Sequence, residues 1–242
     1  PKQGMLTNPV LRVFVRRRKG DHGTVRIEFR QQLDALNTDL ARMCELAGEA
    51  MQRATLGLLT VDLEAAERVL TDLEILARMR RDVDQAALSV LARQAPVASD
   101  LRAVVAAVHI TSDADRMGGL AAHVARIVRR RHPASAIPNV VVGQFSEMGG
   151  LAVDLAEDAA AVIADGDPVR ASRIRDDDEA MNDMHRRLFA AVMSPEWSHG
   201  VPAAVDVVLL GRFYERFADH AVAIAARVLF RSTGNTLVDV AG

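Results

Sequence analysis

Apolar residues recur at alternating steps of three and four along most of the chain, which is the spacing of amphipathic helices. The first such segment keeps a strict heptad seam. No segment keeps the alternation of apolar and polar residues that a half-buried strand requires. The pattern predicts an all-α fold with six long helices. The seam of the first helix consists of Phe29, Leu33, Leu36, Leu40, Met43, Ala47, Ala50 and Ala54.

Capping and helix-breaking residues separate the six predicted helices. Asp62 and Ser99 are expected to cap the second and third helices, and Pro96 ends the segment between them. Asp167 followed by Pro168 is the usual start of a helix with proline at its first position, and it opens the fifth helix.

The six helices fall into two groups of three that resemble each other. Asp72 and Glu74 correspond to Asp177 and Glu179, and the pair Asp115-Arg116 corresponds to Glu215-Arg216. An internal duplication that gives two pseudo-symmetric three-helix bundles of antiparallel helices is the simplest explanation. The predicted boundaries are an N-terminal extension or cloning remnant at 1–24, a first bundle at 25–132, a linker at 133–141, a second bundle at 142–231 and a tail at 232–242.

Composition and charge exclude several classes of protein. Half of the 242 residues are apolar and the formal net charge is −2, which argues against a nucleic-acid-binding protein. The single cysteine, Cys44, excludes an internal disulfide framework and favours the cytoplasm. No apolar run approaches the roughly 18 residues of a membrane span, so no membrane insertion is expected.

Two short acidic motifs interrupt the third and sixth helices. Glu215 and Asp219 lie one turn apart, and Asp115 occupies the first position of the earlier motif. Helical periodicity places all three on stripes that we expect to face the core, where an unpaired carboxylate costs several kcal/mol. The stripe on the sixth helix contains Val205, Val208, Val222 and Ala226, and the stripe on the third contains Leu101, Val104 and Val108.

The acidic motifs allow two interpretations. Carboxylates projecting from neighbouring helices of a bundle suit hard or borderline metal ions, with Asp178 of the fifth helix as a further ligand. Arg212 and Arg216 each precede a motif carboxylate by three residues, so a network of ion pairs fits the same spacing. In the first motif Gly119 stands where the second carboxylate would be. The candidate metal ligands are Glu215, Asp219, Asp115 and Asp178.

Signals of catalysis are absent from the sequence. It contains no phosphate-binding glycine loop, no dinucleotide-binding glycine pattern, no nucleophile elbow and no Cys-x-x-Cys pair. These motifs therefore identify no catalytic residues. The alternative is a carboxylate-bridged metal-binding bundle with hydrolytic or storage activity, which would need an open coordination position and a base.

Three segments resemble the PhoU-type family of phosphate-signalling regulators. Residues 91–102 read Leu-Ala-Arg-Gln-Ala-Pro-Val-Ala-Ser-Asp-Leu-Arg and resemble the family's signature between helices two and three. Residues 115–118 and 215–221 resemble its two acidic metal motifs, although the first is broken at Gly119. The resemblance extends over about residues 25–231. The Ala- and Arg-rich composition suggests an actinobacterial type of source.

The resemblance implies a function and a set of partners. Members of the family are usually homodimers in the cytoplasm that restrain phosphate uptake and the phosphate-starvation response. They contact the ATPase of the high-affinity phosphate ABC transporter and a phosphate-sensing histidine kinase. Members are not known as enzymes, and some bind iron, zinc or magnesium clusters through the acidic motifs. This chain is therefore expected to be a regulatory adaptor and not an enzyme, with a divalent metal or iron cluster (Fe, Zn or Mg) or with none.

Overall fold

Six long α-helices make up almost all of the part of the chain described by the structure, a computed structural model covering residues 22–94 and 96–233. The prediction of an all-α fold is confirmed. The first helix begins before residue 25 and the last extends beyond residue 231, while most of the predicted extension and tail lies outside the described residues. The helices are α1 (His22–Thr60), α2 (Leu63–Gln94), α3 (Ser99–Arg131), α4 (Val142–Asp165), α5 (Pro168–Met193) and α6 (Gly200–Thr233).

The helices form two groups of three that pack against each other. Helix α2 packs on α1 and α3, and α5 packs on α4 and α6. The two groups meet where α1 contacts α4 and α3 contacts α6. Helices α3 and α6 run antiparallel, since Asp113 lies beside His220 whereas Arg131 lies beside Asp206. The outer helices α2 and α5 therefore flank a central set of four.

Paired glycines at the crossing of α1 and α4 reveal the internal symmetry. A Cβ on Gly48 would lie 2.8 Å from the Cβ of Ala156, and one on Gly149 would lie 2.4 Å from Cγ2 of Thr55. A glycine of α1 thus faces a side chain of α4, and a glycine of α4 faces a side chain of α1. This reciprocal contact is what a pseudo-twofold axis between the halves produces.

The outer helices share one register. Buried residues of α2 alternate with exposed ones in the same order as those of α5, so the two helices can be aligned position by position. This alignment pairs Asp72 with Asp177, as the sequence predicts. The aligned buried pairs are Ala66 with Ala171, Val69 with Ile174, Leu76 with Met181 and Val83 with Leu188.

Two of the three predicted helix caps are present. Asp62 accepts a hydrogen bond from the backbone N–H of Ala65 at 3.0 Å, and Asp167 accepts one from Val169 at 2.9 Å. The prediction that Ser99 caps α3 is wrong. The chain turns through Ala98 at a φ of 50°, so Ala98 takes the capping position and Ser99 is the first residue of the helix.

Buried polar contacts join the two halves. The carboxylate of Asp206, at the start of α6, accepts hydrogen bonds from Arg130 and Arg131 at the end of α3. In the centre, the hydroxyl groups of Thr55 and Tyr214 lie 2.7 Å apart and both side chains are buried. Burial raises the pKa of the Tyr214 phenol, which therefore stays neutral and acts as a hydrogen-bonding group.

Candidate functional site

The acidic stripe of α6 faces the edge of the core and the solvent. The side chain of Asp219 is 44% exposed and that of Glu215 is 14% exposed, while Val205 is also largely exposed. The prediction that this stripe faces the interior is therefore wrong for Asp219 and correct only in part for Glu215. Because α6 contacts α3, α4 and α5, its buried arc is broad and centred elsewhere. That arc contains Val207, Leu210, Tyr214, Phe217, Ala221, Ile224 and Val228.

The stripe predicted for α3 is displaced in the same way. Val104 is buried, but Leu101 and Val108 are exposed, and the Asp115 side chain is 27% exposed. A three-helix bundle gives each helix two neighbours, whereas α3 contacts α1, α2 and α6. The extra neighbour turns the buried arc away from the predicted stripe.

Asp178 lies on α5 near the two motif carboxylates of α6. Its Oδ2 accepts a hydrogen bond from Asn182 at 3.1 Å, and its Oδ1 is buried without a hydrogen-bond partner. Burial, followed by the charges of Asp219 and Glu215, raises the pKa of Asp178 to about 6, against the hydrogen bond from Asn182. The structure thus brings three predicted residues together. We name Asp178, Glu215 and Asp219 the α5–α6 acidic site.

Basic side chains neutralise only part of this site. Arg212 forms an ion pair with Glu215, and Nε of Arg216 lies 3.7 Å from Oδ2 of Asp219. Nδ1 of His185 on α5 lies 3.8 Å from Oε2 of Glu215. The ion pairs expected from the sequence spacing are therefore present. Within the described residues, no arginine or lysine pairs with Asp178.

The rest of the acidic run on α5 does not face α6 in this way. Asp176 and Glu179 are exposed. Asp177 is half-buried, and its pKa is raised by burial and then by the charge of Asp158. Asp158 itself is held by Arg170 and Arg173, with Nη1 of Arg170 3.0 Å from Oδ1. Of the four acidic residues, only Asp178 belongs to the α5–α6 acidic site.

The corresponding place in the first half has a different composition. Oδ2 of Asp115 lies 2.6 Å from Nη1 of Arg80 on α2. A side chain at Gly119 would meet open space, so this glycine is not required for helix packing. At Gly118 an added Cβ would press against Cδ2 of Leu76 and come within 3.2 Å of Cδ2 of Leu73, so both leucine side chains would have to shift. Asp115 is therefore separated from the other three predicted ligands and paired with an arginine.

No metal site is formed by the side chains as they stand. Among residues 22–94 and 96–233, no group of three or more His, Cys, Asp or Glu is arranged to hold a metal ion. The carboxylates of the α5–α6 acidic site interact electrostatically, and one buried oxygen lacks a hydrogen bond, as noted above. Metal binding stays a prediction.

Sequence reasoning missed a buried cluster between the halves. Asp113 of α3 is buried, with Oδ1 3.0 Å from Nδ1 of His220 and Oδ2 2.8 Å from Nη1 of Arg227. Both Asp113 and His220 lie on the core-facing arcs of their helices, one turn from Met117 and Phe217 respectively. A polar residue in step with buried apolar residues was the signal that could have identified them.

The fold and site together define a duplicated six-helix scaffold with one acidic site between its last two helices. The model of the family described as "PhoU domain" matches the chain twice, at residues 40–128 and 145–228. The two matches coincide with the two structural halves. The chain belongs to the PhoU family, whose members are transport accessory proteins rather than enzymes.

Named relatives and solved structures agree with this assignment. The phosphate-specific transport system accessory protein PhoU homolog 2 of Mycobacterium tuberculosis is 53% identical over 87% of this chain and 99% of its own length. Homolog 1 of Mycobacterium leprae is 51% identical over 87% and 95%. The crystal structure of PhoU from Pseudomonas aeruginosa has a TM-score of 0.78 at 23% identity, over 86% of this chain and 100% of that one. That last likeness concerns the fold.

Proposed function

We propose that this chain is a negative regulator of phosphate uptake and of the phosphate-starvation response. It acts in the cytoplasm as an adaptor between the high-affinity phosphate ABC transporter and a phosphate-sensing histidine kinase. The observation that carries the proposal is the similarity, over nearly the full length of each relative, to proteins named phosphate-specific transport system accessory proteins. None of the helices in the described part of the chain has the length and apolar character of a membrane span.

An adaptor needs surface that a partner can cover, and one end of the α5–α6 pair offers it. Exposed apolar side chains from both helices gather there, beyond the α5–α6 acidic site. Such exposed apolar groups favour protein–protein contact, with the transporter ATPase, the kinase or a second copy of this chain in a homodimer. They are Phe189, Met193, Val201, Val205 and Leu209.

Regulation by such an adaptor requires only modest energy. A partner that binds one conformation of the kinase more tightly than the other shifts the equilibrium by its differential affinity. About 1.4 kcal/mol changes the ratio of the two conformations tenfold. A binding surface without catalytic groups is sufficient for this role.

The α5–α6 acidic site is the place that we propose for a divalent metal or iron ion. Asp178, Glu215 and Asp219 would supply oxygen ligands, which suit Mg²⁺, Mn²⁺ and Fe²⁺. The buried Oδ1 of Asp178, which lacks a hydrogen bond, supports this assignment, because a cation would satisfy it. When bound, the ion would add positive charge between α5 and α6 and would compete with Arg212 for Glu215.

Direct binding tests the adaptor role. The purified chain is titrated into the cytoplasmic domain of the phosphate-sensing kinase, and separately into the transporter ATPase, in an isothermal calorimeter. We expect saturable binding to each partner. The same titration into an unrelated histidine kinase domain is the control and is expected to give no signal. Absence of binding to both proposed partners would contradict the proposal.

A further inference from the structure

The matched sites of the two halves differ in how their carboxylates are paired. In the second half, three carboxylates lie near one another and Arg212 and Arg216 neutralise two of them. In the first half, Asp115 is paired directly with Arg80. We infer that the guanidinium of Arg80 is a built-in cation of the first half, so that this half binds no metal and the chain takes up metal only at the α5–α6 acidic site. The inference rests on the metal site proposed above.

The register of the helices places Arg80 where a bound cation would interact with the motif carboxylate. The alignment of α2 with α5 pairs Arg80 with His185, and the alignment of α3 with α6 pairs Asp115 with Glu215. Each basic side chain therefore reaches across to the carboxylate of its own motif. The separation is 2.6 Å for Arg80 and Asp115 and 3.8 Å for His185 and Glu215. The contact in the first half is the shorter one, and its basic group, the guanidinium of Arg80, is permanently charged.

Arg80 lies between two carboxylates. Its Nε is 3.9 Å from Oδ2 of Asp84, one turn further along α2, in addition to the contact with Asp115. A guanidinium stays protonated in proteins, so Arg80 donates a hydrogen bond to Asp115 and lies within ion-pair distance of Asp84. This is the role that a metal ion has between carboxylates.

The remaining ligand positions of the first half carry no oxygen. Leu73 aligns with Asp178 and lies close to Gly118, because a Cβ added to that glycine would come within 3.2 Å of Cδ2 of Leu73. Gly119 aligns with Asp219, and the space around it is open. A metal ion entering here would have to displace Arg80 and would then find Asp115 and Asp84 as its acidic neighbours. Hard cations require more oxygen ligands than these supply.

The difference between the halves means that a metal would act on one half of the scaffold only. Without metal, Asp115 of the first half already has the guanidinium of Arg80 as its partner, whereas Asp178 of the second half has no arginine or lysine partner among the described residues. With metal bound, the second half acquires a cation in the place that Arg80 fills in the first. A metal bound in this way changes the charge of one half only.

A transplant of residues between the halves tests the inference. Metal-free protein is titrated with Mn²⁺, and bound Mn²⁺ is measured by electron paramagnetic resonance. The variant Arg80→His, Leu73→Asp and Gly119→Asp gives the first half the counterparts of His185, Asp178 and Asp219. We expect about a twofold rise in tightly bound Mn²⁺ per chain, because the variant completes a second set of carboxylate ligands. Circular dichroism confirms that the variant is helical.

A second variant controls for misfolding of the triple variant. Each outcome of the experiment supports or overturns the inference. The double variant Arg80→His and Gly119→Asp leaves Leu73 in the packed contact and is expected to bind more Mn²⁺ than the unaltered protein. Equal occupancy of both halves in the unaltered protein would overturn the inference while supporting the metal site. Mn²⁺ bound by the variants and not by the unaltered protein would overturn the proposed site, and would support only the part of the inference in which Arg80 keeps metal out of the first half. If none of the proteins binds Mn²⁺, both are overturned.

Discussion

Replacing Glu215 and Asp219 together with alanine is expected to abolish tight binding of Mn²⁺ and to leave the helical content unchanged. The change removes two of the three carboxylates of the α5–α6 acidic site. Neither side chain is part of the packed core, since Asp219 is exposed and Glu215 lies at the core's edge. Binding is measured by electron paramagnetic resonance, and helicity by circular dichroism.

A matched variant separates a specific site from general acidity. Asp176→Ala with Glu179→Ala removes the same number of carboxylates from exposed positions on α5. Because exposed charges are screened by salt, we expect Mn²⁺ affinity to change by less than about threefold in this variant. Full Mn²⁺ occupancy in the Glu215→Ala, Asp219→Ala protein would show that the ligands are chosen wrongly.

Asp206→Ala is expected to lower the free energy of unfolding by about 2–3 kcal/mol. The Asp206 side chain is only 2% exposed and accepts hydrogen bonds from Arg130 and Arg131, which tie the end of α3 to the start of α6. Both arginines keep access to water, being 60% and 35% exposed. The loss is therefore smaller than for a fully buried pair, in which an uncompensated charge would remain. Urea unfolding measures it.

An exposed ion pair provides the control for Asp206. Glu64 pairs with Arg68 one turn along α2, and their side chains are 75% and 66% exposed. Glu64→Ala is expected to cost less than about 0.5 kcal/mol, because surface ion pairs contribute little. Equal effects of Asp206→Ala and Glu64→Ala in urea would contradict the view that Asp206 joins the two halves.

The architecture was predictable from the sequence because it depends on periodicity. The heptad seam of α1 is buried almost throughout, and Asp62 and Asp167 cap the helices that they were expected to cap. The duplication was visible in the pair Asp72 and Asp177 and in the two acidic motifs. Periodicity reports that one face of a helix is apolar, and this information suffices to count helices and to find their breaks.

The orientation of the site was not predictable, because it depends on how many neighbours a helix has. In the sequence, Val205, Val208 and Glu215 recur at the helical spacing expected of core residues. The packing of α6 on three helices nevertheless turns this stripe toward the edge of the core. The contact of Arg80 with Asp115 was also missed. The two residues lie on different helices, and only the relative register of α2 and α3 brings them together.

Phosphate uptake in the source organism tests the central claim most directly. A strain lacking this chain is grown in phosphate-rich medium, and its uptake of radiolabelled phosphate is compared with that of the parent and of the strain complemented with the unaltered chain. We predict that uptake stays high in the strain lacking the chain and returns to the low rate of the parent on complementation. Uptake at the parental rate without the chain would contradict its role as a negative regulator.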